Sequence, residues 1–195
     1  MPLLIISLIS KIGLRMLREA PKKSIARYAM EYGVYFGIYL IVKFVLTTFS
    51  LNNFVANFIS EVLLIAIPFI LYYIMRHYKK QDGGNTRFSQ LWMFGIFLFF
   101  FASLLSGVAE YVYYRYINPT YIEMQMAAVL DLIEKMTQAQ NSEMLQMMRD
   151  GLAKGGAPSP IEMVFQTIWA NVFFGSLLSI IIALIVSRKK KIKTL

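Results

Sequence analysis

YAMEYGVYFGIYLIVKFVLTTFSLNNFVANFISEVLLIAIPFILYYIM, residues 28–75, is the stretch whose reading decides the fold. It reads as two apolar helices joined at Asn52-Asn53, with one charge set into each, Lys43 in the first and Glu61 in the second. At ~1.5 Å rise per residue, both charges lie roughly 13–14 Å below the turn and nearly level with each other. A charge inside hydrocarbon costs at least ~2.5–3.5 kcal/mol on insertion scales, so such residues pair, face a bundle interior or line a pathway.

The rest of the chain agrees with a membrane setting. Its 195 residues are 57% hydrophobic and only 16% charged, where a soluble domain carries about 25% charge. The mean hydropathy is +0.55, and the apolar residues gather into segments of membrane-spanning length. The net charge of +9 invites a nucleic-acid reading, but the basic residues flank the apolar segments and form no single basic face. Nucleic acid is therefore not expected as a partner. The absence of cysteine excludes disulfides, thiolate metal sites and cysteine nucleophiles.

Taken in order, residues 1–27 form a basic arm. Apolar residues up to Ile9 precede Lys11, Arg15, Arg18, Lys22, Lys23 and Arg27, the reverse of a signal peptide, so cleavage is not expected. Ser7, Lys11, Arg15, Arg18 and Lys22 share one helical face, which predicts an amphipathic helix on the membrane surface, ended by Pro21. Four spans follow, at about 28–49, 54–75, 91–117 and 163–187. The first contains Gly33-x-x-x-Gly37, a spacing that favours close helix packing inside the monomer. The second contains Pro68, tolerated where neighbouring helices re-satisfy the freed carbonyl. Arg76, His77, Tyr78, Lys79 and Lys80 open a polar loop with the turn Asp82-Gly83-Gly84-Asn85. The third span ends in Tyr111, Tyr113, Tyr114 and Tyr116, an interfacial aromatic belt. Residues 118–161 form the long loop. Asn118 as N-cap and Pro119 at the first helical position open it, apolar residues at helical spacing from Tyr121 to Met148 predict one or two amphipathic helices there, and Ser159-Pro160-Ile161-Glu162 has capping-box spacing before the last span. Residues 188–195 are a basic tail. The fold class is all-α, a four-span membrane protein with a surface helix at its N-terminus and a helical loop between spans three and four.

Charge placement gives the orientation. Fifteen Lys and Arg lie in the N-terminal arm, the loop after span two and the tail, against three (Lys135, Arg149 and Lys154) in the long loop. The positive-inside rule then puts both termini in the cytoplasm and the long loop outside.

With depth assigned, Lys43, Glu61, Glu110 and Asn171 fall near one level in the outer third of the membrane, one per span. They are the candidate buried polar layer. Read structurally, the layer is a register-fixing network; read functionally, it is a polar cavity that binds a lipid headgroup or relays a proton. Lys11, Arg15, Arg18, Lys22, Arg76, Lys79 and Lys80 are candidates to face anionic phospholipid or a partner. Met124, Met126, Met136, Met144, Met147 and Met148 crowd the long loop. Thioethers bind Cu(I), but no His or Cys accompanies them, and adaptable apolar packing is the plainer role. No phosphate-binding glycine loop, His-Glu-x-x-His or Gly-x-Ser-x-Gly occurs. No catalytic residue, metal or cofactor is expected.

Tyr28-x-x-Glu31-Tyr32-Gly33-x-x-x-Gly37, Tyr114-Arg115-Tyr116-Ile117-Asn118-Pro119 and the Ser-Pro-x-Glu step before a span ending in lysines carry a resemblance. Over about residues 25–193 the chain resembles the four-helix bacterial membrane proteins grouped as domain of unknown function four-one-nine-nine, found mainly in Bacteroidota. The resemblance implies a bacterial inner-membrane location and a setting beside membrane-associated glycosyltransferases, and brings no catalytic residues. The function expected is a non-catalytic membrane accessory or scaffold subunit that assembles with an envelope enzyme such as a lipid-carrier glycosyltransferase. The alternative is a small transporter or flippase that uses the polar layer, working as a homodimer.

Overall fold

A computed structural model describes residues 24–50, 54–84, 86–136 and 158–188, with residues 147, 150 and 151 between the last two. The described residues are almost entirely helical and contain no strand. Helix α1 is Ile25–Ser50, α2 Phe54–Gln81, α3 Phe88–Val112, α4 Tyr121–Met136 and α5 Pro160–Ser187. Four of them, α1, α2, α5 and α3 with the turn that continues it, are long and apolar enough to cross a membrane, and the chain is a multi-pass membrane protein. Their surface carries Val34, Ile38, Val42, Phe58, Ile65, Phe69, Val108, Phe173 and Ile181 exposed. In water such a surface would aggregate; in hydrocarbon it is solvated.

The four spans close into a ring in which α1 touches α3, α3 touches α5, α5 touches α2, and α2 returns to α1. Helix α3 is the centre. Half of its most apolar stretch is buried, against 22%, 17% and 22% for α1, α2 and α5. The reason is the small residues that let neighbours approach. A Cβ on Gly33 or Gly37 of α1 would lie 2.9 Å from Phe101 or Leu105 of α3. The Gly33-x-x-x-Gly37 spacing therefore works inside the monomer, and α1 and α3 run parallel. Across the other face, Gly95, Phe99 and Gly107 of α3 meet Ser179, Gly175 and the Val164–Ile168 turn of α5, an antiparallel pairing.

The bundle has two distinct ends. At the basic end lie Gln81, Phe88 and Ser187, with Tyr78 stacked on Phe94 at 4.3 Å and a turn through Gly83 and Gly84, both at positive φ (82° and 81°). At the tyrosine end, α3 does not stop at Val112 but widens into a π-helical turn, Tyr113–Ile117, closed by the Asn118 N–H on the Tyr113 carbonyl at 2.8 Å. The sequence does not announce that turn. It re-aims Tyr113 and Tyr114 onto Phe44 of α1 and Tyr121 of α4, ring centroids 5.3–5.8 Å apart. Asn118 and Pro119 do not begin α4. Its first helical bond runs from the Met124 N–H to the Thr120 carbonyl (3.0 Å), while Thr120 donates its hydroxyl to the Asn118 side chain (3.0 Å). The chain needs two more residues to turn after the widened helix. At the start of α5, Glu162 accepts both the N–H and the hydroxyl of Ser159, each at 2.8 Å. That pair closes the helix N-terminus.

Pro68 lies inside α2 and leaves the Leu64 carbonyl without its helical donor. Tyr39 of α1 donates its hydroxyl to the adjacent Leu63 carbonyl. The N-terminal arm up to Lys23, including Lys11, Arg15, Arg18 and Lys22, the second half of the long loop apart from three residues, and most of the basic tail lie outside the described residues.

Candidate functional site

Of Lys43, Glu61, Glu110 and Asn171, Glu110 alone is buried, at 5% exposure. Lys43 and Asn171 are half-buried. Glu61 is exposed on the outward face of α2, which corrects its place in a buried layer. The physical reason is the face, since depth follows from helical rise but the direction of a side chain follows from packing. Helix α2 turns Ala56 and Ser60 inward, and Ser60 shares a 2.8 Å hydrogen bond with Thr47 of α1. Glu61, one residue and about 100° further round, is left looking out. No ion pair joins it to Lys43.

Glu110 sits where α1, α3 and α5 converge. Ser106, one turn back on α3, and Thr167 of α5 set their hydroxyls beside its carboxyl, and Lys43 of α1 is the cation whose field it feels. Both hydroxyls also reach backbone carbonyls of their own helices, Ser106 that of Ser103 at 3.3 Å and Thr167 that of Met163 at 3.0 Å. Each therefore has one hydrogen to divide between a carbonyl and the Glu110 carboxyl. One carboxyl oxygen, Oε2, is fully buried and has no hydrogen-bond partner, and the same is true of Ser103 Oγ and Ser179 Oγ. Above Glu110 lies the aromatic lid of Phe44, Tyr113, Tyr114 and Tyr121, with Tyr114 and Tyr121 both buried. Below it, Phe36 and Phe99 meet edge-to-face at 5.1 Å.

Beyond Lys43, Glu110 and Asn171, the sequence reading passed over the small and hydroxyl residues around this centre. In α5 the stripe Thr167, Asn171, Gly175, Ser179 recurs every four residues, and α3 carries Ser103, Ser106 and Gly107 beside Glu110. Small and hydroxyl residues at that spacing mark one helix face, so the signal was present in both spans.

At the basic end, Arg76 and Lys80 are exposed. Lys79 is not free to meet a headgroup. Its ammonium donates to the Val186 and Ser187 carbonyls at 2.7 and 3.2 Å, where the last carbonyls of α5 have no helical partner. Lys79 thus ties the end of α2 to the end of α5, a correction to its place among the lipid-facing bases.

The family described as protein of unknown function (DUF4199) matches residues 31–188, which takes in all four spans from Glu31 on and the long loop. The chain belongs to that family. No curated protein and no solved structure is similar enough to the chain to count as a match.

Proposed function

We propose that this family member is a non-catalytic membrane subunit that assembles through the outward face of α2 with an integral-membrane enzyme. The bacterial inner membrane is its setting, with the basic end in the cytoplasm. The observation that carries the reading is Glu61, exposed among Phe58, Val62, Leu64 and Ile65 on the tyrosine-end half of α2. A carboxylate facing lipid there costs at least ~2.5–3.5 kcal/mol, and among the described residues no ion pair offsets it. A partner helix carrying Arg, Lys or a neutral donor at that depth would remove the cost and cover the apolar face in the same step. The excess of Lys and Arg on one side supports the orientation. A lipid-carrier glycosyltransferase is the partner class that the family resemblance suggests.

The test uses the chain's lack of cysteine. Single cysteines at Phe58 and Ile65, crosslinked in native membranes and identified by mass spectrometry, should capture one integral-membrane enzyme. Val108→Cys on α3 should not, and Glu61→Leu should abolish the capture while the protein still inserts. Crosslinks that reach only lipid or a second copy of the chain would defeat the reading. The competing reading, a small transporter or flippase acting as a homodimer, draws on the Glu110 centre and predicts a transport defect in Lys43→Met with Glu61→Leu unaffected.

A further inference from the structure

We propose that Glu110 is a proton-binding site that serves the tyrosine end of the bundle, a role that does not depend on the α2 docking face. The proposal starts from donors and acceptors. Ser106 and Thr167 flank the carboxyl with hydroxyls that are shared with the Ser103 and Met163 carbonyls. Shared hydroxyls satisfy a carboxylate only in part, whereas a carboxylic acid can donate to either of them. The second observation is Oε2, wholly buried and without a hydrogen-bond partner. A static salt bridge would fill that oxygen with the Lys43 ammonium, yet the structure holds Lys43 within electrostatic reach of Glu110 and not in ion-pair contact.

The groups that face Glu110 are few and come from every neighbouring element. They are Lys43 from α1, Ser106 and Tyr114 from α3 and its π-helical turn, Thr167 from α5, and Tyr121 from α4 stacked on Tyr114 at 5.8 Å. Helix α2 supplies none, since Glu61 looks outward. The step is simple. One O–H bond forms on the carboxyl, the proton comes from water at the tyrosine end, and no electrons are exchanged. With Lys43 as the ammonium, the charge of the pair goes from zero to plus one. Gln125, at the rim of the lid, donates to the Tyr121 hydroxyl at 2.7 Å, which leaves the tyrosine's own hydrogen to point elsewhere. The lid and its widened turn lie between Glu110 and the tyrosine end of the bundle, and π-helical turns of this kind recur at functional sites.

The experiment is infrared difference spectroscopy of the full chain in lipid nanodiscs, perfused between acidic and neutral buffers. A protonated-carboxyl C=O band should rise on acidification, shift on deuteration, vanish in Glu110→Gln and persist in Glu61→Gln. Lys43→Met leaves Glu110 in place but removes the ammonium nearby, so the band's midpoint should change. Should Glu110→Gln fail to fold, Glu110→Asp keeps a carboxyl and should displace both the band and its midpoint. A carbonyl band that is absent at every pH, or constant with pH, overturns the proposal, as does a midpoint indifferent to Lys43→Met. None of these outcomes bears on partner capture through Glu61.

Discussion

Two side-chain donors that reach backbone carbonyls on a neighbouring helix show how single residues hold this bundle. Hydrophobic burial cannot choose between helix partners when lipid is as apolar as the core, so hydrogen bonds and close packing carry the specificity. Tyr39 donates to Leu63 beside the gap opened by Pro68, and Lys79 donates to Val186 and Ser187 at the end of α5. A neutral hydrogen bond contributes about 1 kcal/mol and one to a charged group about 1.5–3 kcal/mol. Tyr39→Phe should therefore lower stability by about 1 kcal/mol, and Lys79→Met by about 2 kcal/mol, in thermal or denaturant unfolding in detergent. The order matters more than the values. If Lys79→Met were the milder change, Lys79 would belong with Arg76 and Lys80 at the lipid surface.

At the scale of elements, the seam between α3 and α5 is where the described glycines are most tightly packed. A Cβ on Gly95 would come within 2.6 Å of both Met75 Cε and Ser179 Cβ. The methionine end can move; the serine Cβ on a helix cannot. Gly95→Ala should cost about 1–3 kcal/mol, and Ser179→Gly in the same chain should recover much of it, a coupling that a double-mutant cycle reads directly. Gly151→Ala, in a helical residue where an added Cβ meets nothing within 4 Å, is the control and should cost no stability. A Gly95→Ala protein as stable as its parent would mean that the helices stand further apart. The same seam shows what the sequence could and could not yield. Hydropathy and turn residues mark the four spans because each needs only its own composition to be recognised. The depth of Lys43, Glu61, Glu110 and Asn171 follows from helical rise. Which way each points does not, because facing is decided by a neighbour: Ser60 claims the inner face of α2 and sends Glu61 out. The π-helical turn after Val112 depends on the lid that it builds with Tyr121, which lies on another helix, so no local pattern encodes it. The period-four stripe in α5 was legible, and its meaning came only with α3 opposite.

For the whole molecule, the two candidate sites share one end of the bundle, and the orientation decides what each of them meets. Were the basic end in the cytoplasm, as the placement of Lys and Arg proposes, Glu61 would lie in the outer leaflet and Glu110 would draw its proton from outside. Partner helix and proton source would then be met at the same depth by a chain whose cytoplasmic face does the anchoring. Single cysteines at Gln81, exposed at the basic end, and at Glu123, exposed on α4, separate the alternatives. A membrane-impermeant maleimide added to intact spheroplasts should label Glu123→Cys at once and Gln81→Cys only after lysis. Labelling in the opposite order would invert the molecule. Glu110 would then titrate against cytoplasmic pH, and the partner of α2 would have to offer its cation in the inner leaflet.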